Sequence, residues 1–134
     1  DDALAGFAAA LARFRAAQST LTASSFLSGR VAQDATWPDV AWLKSDGAPL
    51  CDEDWGSADF VAMVRASPEC PGRLYMAFNR TEADVEVVLP ETSPAMCWML
   101  AIDSAAGFAG MRGLGGATVA PARSVIVCVE TPRA

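Results

Sequence analysis

Asp52, Glu53 and Asp54 stand side by side, the densest group of carboxylates in the chain. A helix-loop-helix calcium site alternates its ligands and ends on a distal Glu, and this run has neither feature. Neighbours in sequence seldom face each other across a sugar ring, so the run is not read as the acid/base pair of a glycosidase. It reads as a solvated acidic loop. Gly110-Met-Arg-Gly113-Leu-Gly115-Gly116 fits neither the dinucleotide fingerprint nor the phosphate-loop pattern, and Thr118, Val119 and Pro121 follow where a helix is required. A mobile surface loop is expected there. Asn79-Arg80-Thr81 matches the glycosylation sequon, which matters only in a secreted chain. Histidine is absent, which removes Ser-His-Asp and Cys-His nucleophile systems and most zinc sites. Among the tryptophans, Trp42 and Trp98 fall within strand patterns and are expected in the core. Trp55 lies in a loop and is the one candidate for contact with a glucan or with another domain. No catalytic residue, cofactor site or metal site is assigned.

The 134 residues suit one domain, or one domain with a piece of another attached. With 52% hydrophobic residues and a mean hydropathy of +0.24, a packed core is expected rather than disorder. No apolar run approaches the roughly 20 residues of a membrane-spanning helix. Acidic Asp1 and Asp2 do not resemble the start of a signal or transit peptide. A net charge of −6 opposes nucleic acid and anionic membrane, and Lys44 is the only lysine. Cys51, Cys70, Cys97 and Cys128 form no Cys-x-x-Cys pair and are expected as buried free thiols in a reducing compartment.

The elements that must carry these residues follow from periodicity. Leu4, Phe7, Leu11 and Phe14 make one apolar stripe, predicting a helix over 3–17 with acidic residues at its start and Arg13 and Arg15 near its end. Residues 19–38 read as a connector anchored by Phe26, Leu27, Val31 and Trp37, with a short strand around Phe26. Strands are predicted at 40–44, 60–65, 96–102 and 123–130, the first closed by the turn Ser45-Asp46-Gly47. The most regular stretch is 72–90. Leu74, Met76 and Phe78 alternate with Arg73, Tyr75 and Ala77; after a polar break, Val85, Val87 and Leu89 alternate with Glu86 and Val88. Two such runs read as an antiparallel hairpin with those six apolar residues inward, each contributing roughly 1.5–3 kcal/mol before chain entropy. In 96–102, Met96, Trp98, Leu100 and Ile102 share one face and Cys97, Met99 and Ala101 the other, so this strand is expected to be covered on both sides. Short strands bounded by Gly, Pro or Asp predict an all-β, antiparallel Greek-key β-sandwich preceded by one α-helix.

Three segments resemble the carboxyl-terminal part of the isoamylase-type glycogen and starch debranching enzymes of the α-amylase superfamily. The first is Leu11-Ala-Arg-Phe-Arg-Ala-Ala-Gln-Ser-Thr-Leu21 with Phe26-Leu27-Ser-Gly-Arg30, similar to the last helix of the family's (β/α)8 barrel and its exit. There the family has a basic pair and His-Pro-x-Leu, and Gln18 and Ser19 replace the His-Pro. The second runs from Asp39 to Trp55, similar to a Trp-Leu strand, an Asp-Gly turn and a terminal Asp-Trp. The third is Leu74 to Asn79 with Val85 to Pro90, then Trp98 and Ile102-Asp103. Order and spacing agree across most of the chain.

The resemblance implies a division into residues 1–22, the terminal barrel helix and its exit, and residues 23–134, a carboxyl-terminal β-sandwich. It implies that the intact protein is a retaining hydrolase of α-1,6 branch linkages in amylopectin or glycogen. The family's nucleophilic Asp, acid/base Glu and third Asp sit at the mouth of the barrel. None of those motifs occurs in these residues. The implied partners are α-glucan through the intact enzyme, the adjoining barrel and, through the sandwich, a second subunit. A plastid stroma is the implied location, with a bacterial cytoplasm as the alternative. An independent carbohydrate-binding or oligomerisation sandwich is the competing reading, motivated by Trp55 and the acidic loop.

Overall fold

The computed structural model describes residues Asp1–Ala134. Helix α1 (Asp2–Ala17) forms where the apolar stripe predicts it, and the Asp1 carboxylate caps it by accepting from the Ala3 N–H at 2.9 Å. Asp2 in the first turn and Arg15 in the last complement the helix dipole. Gln18 is extended and ends it, and a single further turn, α2 (Ser19–Thr22), follows.

The rest is mostly β. Strands β1 (Val40–Leu43), β2 (Phe60–Ser67), β3 (Cys70–Asn79), β5 (Met96–Asp103), β6 (Phe108–Gly113) and β8 (Ser124–Pro132) build one antiparallel sheet in the order β1-β2-β3-β8-β5-β6. Strands β4 (Val85–Val87) and β7 (Thr118–Ala120) pair as a separate antiparallel ribbon. The large sheet buries both faces. On one face Tyr75, Ala77, Trp98, Leu100, Ile126 and Cys128 pack with Val87 and Ala120 of the ribbon. On the other face Leu74, Ala101, Ile102, Val127 and Val129 pack under Phe7, Leu11, Phe14 and Leu21. No helix is long and apolar enough to cross a membrane.

Polar side chains close both ends of the ribbon-facing core. At one end Arg73, the residue before the Leu74–Val129 pair of β3 and β8, meets Glu130 of β8, which pairs with Trp98 of β5. Arg73 Nε and Nη2 donate to the two Glu130 oxygens at 2.8 and 2.9 Å, and the Arg73 N–H donates at 3.0 Å. Both side chains are only 4% exposed. The guanidinium lies 3.9 Å from the Trp37 ring centroid and 5.4 Å from that of Trp98. Its remaining reach goes to the Glu91 carbonyl at 2.7 Å, beside the Pro90 carbonyl that accepts from Trp98 Nε1 at 2.8 Å. Gly72 is required here, because a Cβ would stand 2.0 Å from the Glu130 carbonyl oxygen.

At the other end Asn79 shares its Nδ2 hydrogens among the carbonyls of Ala83, Ala120 and Pro121, each at 3.0 Å. This anchor overturns the predicted hairpin. The chain leaves the large sheet at Asn79, and Val85–Val87 pairs with β7 rather than with β3. The inward set changes with it: Leu74 and Val87 are buried, Phe78 is 38% exposed, and Tyr75 and Ala77, read as the outer face, line the core.

Other expectations are corrected by the same long-range pairings. A bulge between Leu100 and Ile102 turns Ile102 to the helix-covered face, opposite Leu100. The glycine-rich 107–116 stretch contains β6, an edge strand, where missing side chains cost little packing. No strand forms at Phe26, which is fully exposed. All four thiols are free but only Cys128 is buried, and burial pushes its pKa up to about 12. The Tyr75 hydroxyl beside it is buried without a partner and held above the usual phenol range, chiefly by desolvation.

Burial disfavours ionisation of Glu130, but the Arg73 hydrogen bonds and charge outweigh it and hold the carboxyl below the usual glutamate range. A depressed folded-state pKa contributes stability above the unfolded value of about 4.3, and that stability is lost as pH falls through the folded value. Glu130→Gln is therefore expected to cost about 3–5 kcal/mol at neutral pH, since Arg73 is left as a buried unpaired charge. Its denaturant stability should also fall less steeply below about pH 5 than that of the parent chain. An unchanged acid limb in the variant contradicts this assignment.

Candidate functional site

Beyond β1 the chain doubles back along the sheet edge. The turn at Asp46-Gly47 is set by the Asp46 carboxylate accepting from Ala48 N–H at 2.9 Å and by Gly47 at φ +87°. Lys44 N–H then donates to Ala48 O at 2.8 Å, and Leu50 N–H to Trp42 O at 2.9 Å. A 3-10 turn at Asp52–Asp54 follows, in which Asp54 Oδ2 accepts from Cys51 N–H at 2.8 Å. The same oxygen lies 3.5 Å from Lys44 Nζ. The Cys51 bond, opposed by a little desolvation and aided by Lys44, holds the Asp54 carboxyl below its usual range.

This strap delivers Trp55 onto Trp42. Their ring centroids are 5.2 Å apart with planes at 75°, edge to face. Trp55 is 47% exposed and Trp42 37% exposed. Trp55 thus sits on the surface, as a candidate contact must. Trp42, expected in the core, joins it there, because its row of the sheet, Trp42-Met63-Met76, ends at an edge beyond the reach of the α1 contacts. The signal for the pair is local in hindsight: an Asp-Gly turn between two tryptophans, with Lys44 and Asp54 spaced to bridge it.

A concavity of about 410 Å³ lies between the 23–39 connector and the β2–β3 turn. The Asp39 carboxylate fixes the connector by accepting from Ser28 N–H and Gly29 N–H, each at 2.7 Å, and its pKa is lowered chiefly by the Ser28 backbone bond. Trp37, stacked on Arg73, and Arg65, bonded to Thr20 O at 2.7 Å, form its walls. On its rim the Cys70 thiol lies 2.6 Å from Ser19 Oγ, and bonds from Ser19 and then Thr20 lower its pKa. These groups position the connector; they do not assemble a nucleophile with a base.

The remaining candidates are dispersed. Asp52, Glu53 and Asp54 do not converge, and no group of three or more His, Cys, Asp or Glu is placed to hold a metal ion. Gly110 and Gly113 belong to β6 and stand apart from the strap. No known family model matches the chain, and no curated protein is significantly similar to it.

Asn79 of the sequon is 3% exposed, and its Oδ1 accepts from Thr81 N–H and Oγ1 at 3.0 and 2.7 Å. A side chain so occupied ties the 80–84 loop to the ribbon. Asn79→Ala should lower stability by about 2–4 kcal/mol in urea unfolding, since three carbonyls lose their donor. A loss below about 0.5 kcal/mol contradicts the described anchor.

Proposed function

We propose that this chain is the carboxyl-terminal, non-catalytic region of an isoamylase-type debranching enzyme, which hydrolyses α-1,6 branch linkages in starch or glycogen. In this reading residues 1–22 are the last helix of a (β/α)8 barrel with its exit, and 23–134 the accessory domain. The six-stranded sheet and the β4–β7 ribbon are then the two layers of a Greek-key sandwich.

The debranching assignment is supported by the resemblance of the helix, the Asp39–Trp55 segment and the Leu74–Asp103 region to that family. The accessory role is carried by one observation. From Ala3 to Ala12 helix α1 contains no charged or hydrogen-bonding side chain, yet none of its residues is buried and Leu4 is 66% exposed. A helix apolar on all sides belongs between two layers, and the sheet supplies only one. The barrel is the second layer. Hydrolysis is carried by the barrel, and these residues cover one side of it. A plastid stroma suits such an enzyme, with a bacterial cytoplasm as the alternative setting.

The test is debranching itself. The longer protein containing these residues is expected to release linear chains from amylopectin, and residues 1–134 alone to release none. Reducing ends released by the 134-residue chain, or α-1,4 rather than α-1,6 cleavage by the longer protein, overturns the proposal.

A further inference from the structure

We infer that the cavity between the 23–39 connector and the β2–β3 turn binds a small monocarboxylate with an apolar body, and that Arg65 holds the carboxylate. The site is independent of the debranching proposal. Its volume of about 410 Å³ lies within the range of small-molecule sites.

Arg65, on the cavity wall, is the group left incomplete. Its Nη2 donates to the Thr20 carbonyl at 2.7 Å, and that is its only hydrogen bond. Its Nε is buried without an acceptor, and the guanidinium makes no ion pair with any carboxylate of the chain. A half-buried guanidinium in this state is costly, and the cost is relieved by an acceptor from outside the chain.

The other charges on the wall are already answered. Arg73 is paired with Glu130, and both Asp39 oxygens accept backbone N–H groups, from Ser28 and Gly29. Arg30 and Asp34 stand exposed, where solvent and salt screen them. One uncompensated cation close to two aspartates calls for a single negative charge and opposes a second. A carboxylate meets that condition, and its two oxygens match the planar fork of a guanidinium, as those of Glu130 match Arg73.

The rest of the wall selects what carries the carboxylate. Leu27, Ala35, Ala66 and Pro68 are apolar, and Trp37 presents a ring that is 43% exposed although it is held in place by stacking on Arg73. The Asp39 bonds fix the connector before any ligand arrives, so little ordering is left to be done on binding. An aliphatic or aromatic body displaces water from these surfaces, which inorganic anions cannot do.

The 134-residue chain is titrated at constant ionic strength with 4-phenylbutyrate, with its neutral amide and with inorganic phosphate. Indole N–H resonances are followed, together with the rate at which iodoacetamide alkylates Cys70, which lies on the cavity rim. Saturable binding of 4-phenylbutyrate is expected with a dissociation constant of about 1 mM, and of the amide and phosphate at least about tenfold more weakly. The Trp37 resonance should shift while those of Trp42 and Trp55 do not, and Cys70 alkylation should slow. Arg65→Gln is expected to weaken binding by about tenfold or more, and Arg65→Lys, which keeps the charge without the fork, by less. Because Arg65 also holds Thr20, Ala35→Leu serves as a second variant. It narrows the cavity, leaves that bond in place and is expected to weaken binding to a similar degree. No saturation by about 20 mM 4-phenylbutyrate, equal binding of the amide or of phosphate, or unchanged affinity in either Arg65→Gln or Ala35→Leu overturns the site.

Discussion

The pairing of Arg73 with Glu130 constrains most of what surrounds it. Two charges that are 4% exposed are tolerable only if each satisfies the other, and the bidentate contact with a third bond from the Arg73 N–H does this. The requirement propagates. β3 and β8 must be in register to set the two side chains opposite each other, and Gly72 must lack a Cβ for the strands to approach. Trp98 must stand in the same row, and Trp37 must fold back over the guanidinium, which fixes the connector. Even the chain after β4 is held, through the Glu91 carbonyl.

Asn79 performs the neutral counterpart at the opposite end of β3. Between these polar ends lies a floor of Tyr75, Ala77, Ile126 and Cys128, shared with the ribbon and apolar but for the unpartnered Tyr75 hydroxyl and the Cys128 thiol. The reverse side of the same strands carries a second apolar cluster under α1. The large sheet is therefore a middle layer. That explains why its central strands carry apolar residues on both faces, as in Leu74 beside Tyr75 and Val127 beside Cys128.

What could be read from sequence was local. The α1 stripe, β1, β2, β5 and β8 appear near their predicted places, because period and bounding residues decide them. The pairing of strands was not legible. Asn79-Arg80-Thr81-Glu82-Ala83-Asp84 reads as a hairpin loop, and only contacts with Ala120 and Pro121, some 40 residues on, make it a crossing between sheets. Strand β6 was hidden by its glycines. Arg73 was legible only as an outer-face residue of its strand and Glu130 only as the end of another, since nothing within either segment announces a partner 57 positions away. Of the Trp42–Trp55 pair, Trp55 was visible as a loop tryptophan. Trp42 was not, because alternation cannot say which strand of a sheet lies at the edge.

The proposed accessory role requires α1 to lie between two layers, of which this chain supplies one. Hydrogen exchange of the α1 amides, measured in the 134-residue chain and in the longer protein that the proposal requires, tests it most directly. In the short chain the α1 amides should exchange well before those of β3 and β8. In the longer protein their protection should rise by about tenfold or more, while β3 and β8 change little. Equal α1 protection in the two proteins contradicts the account.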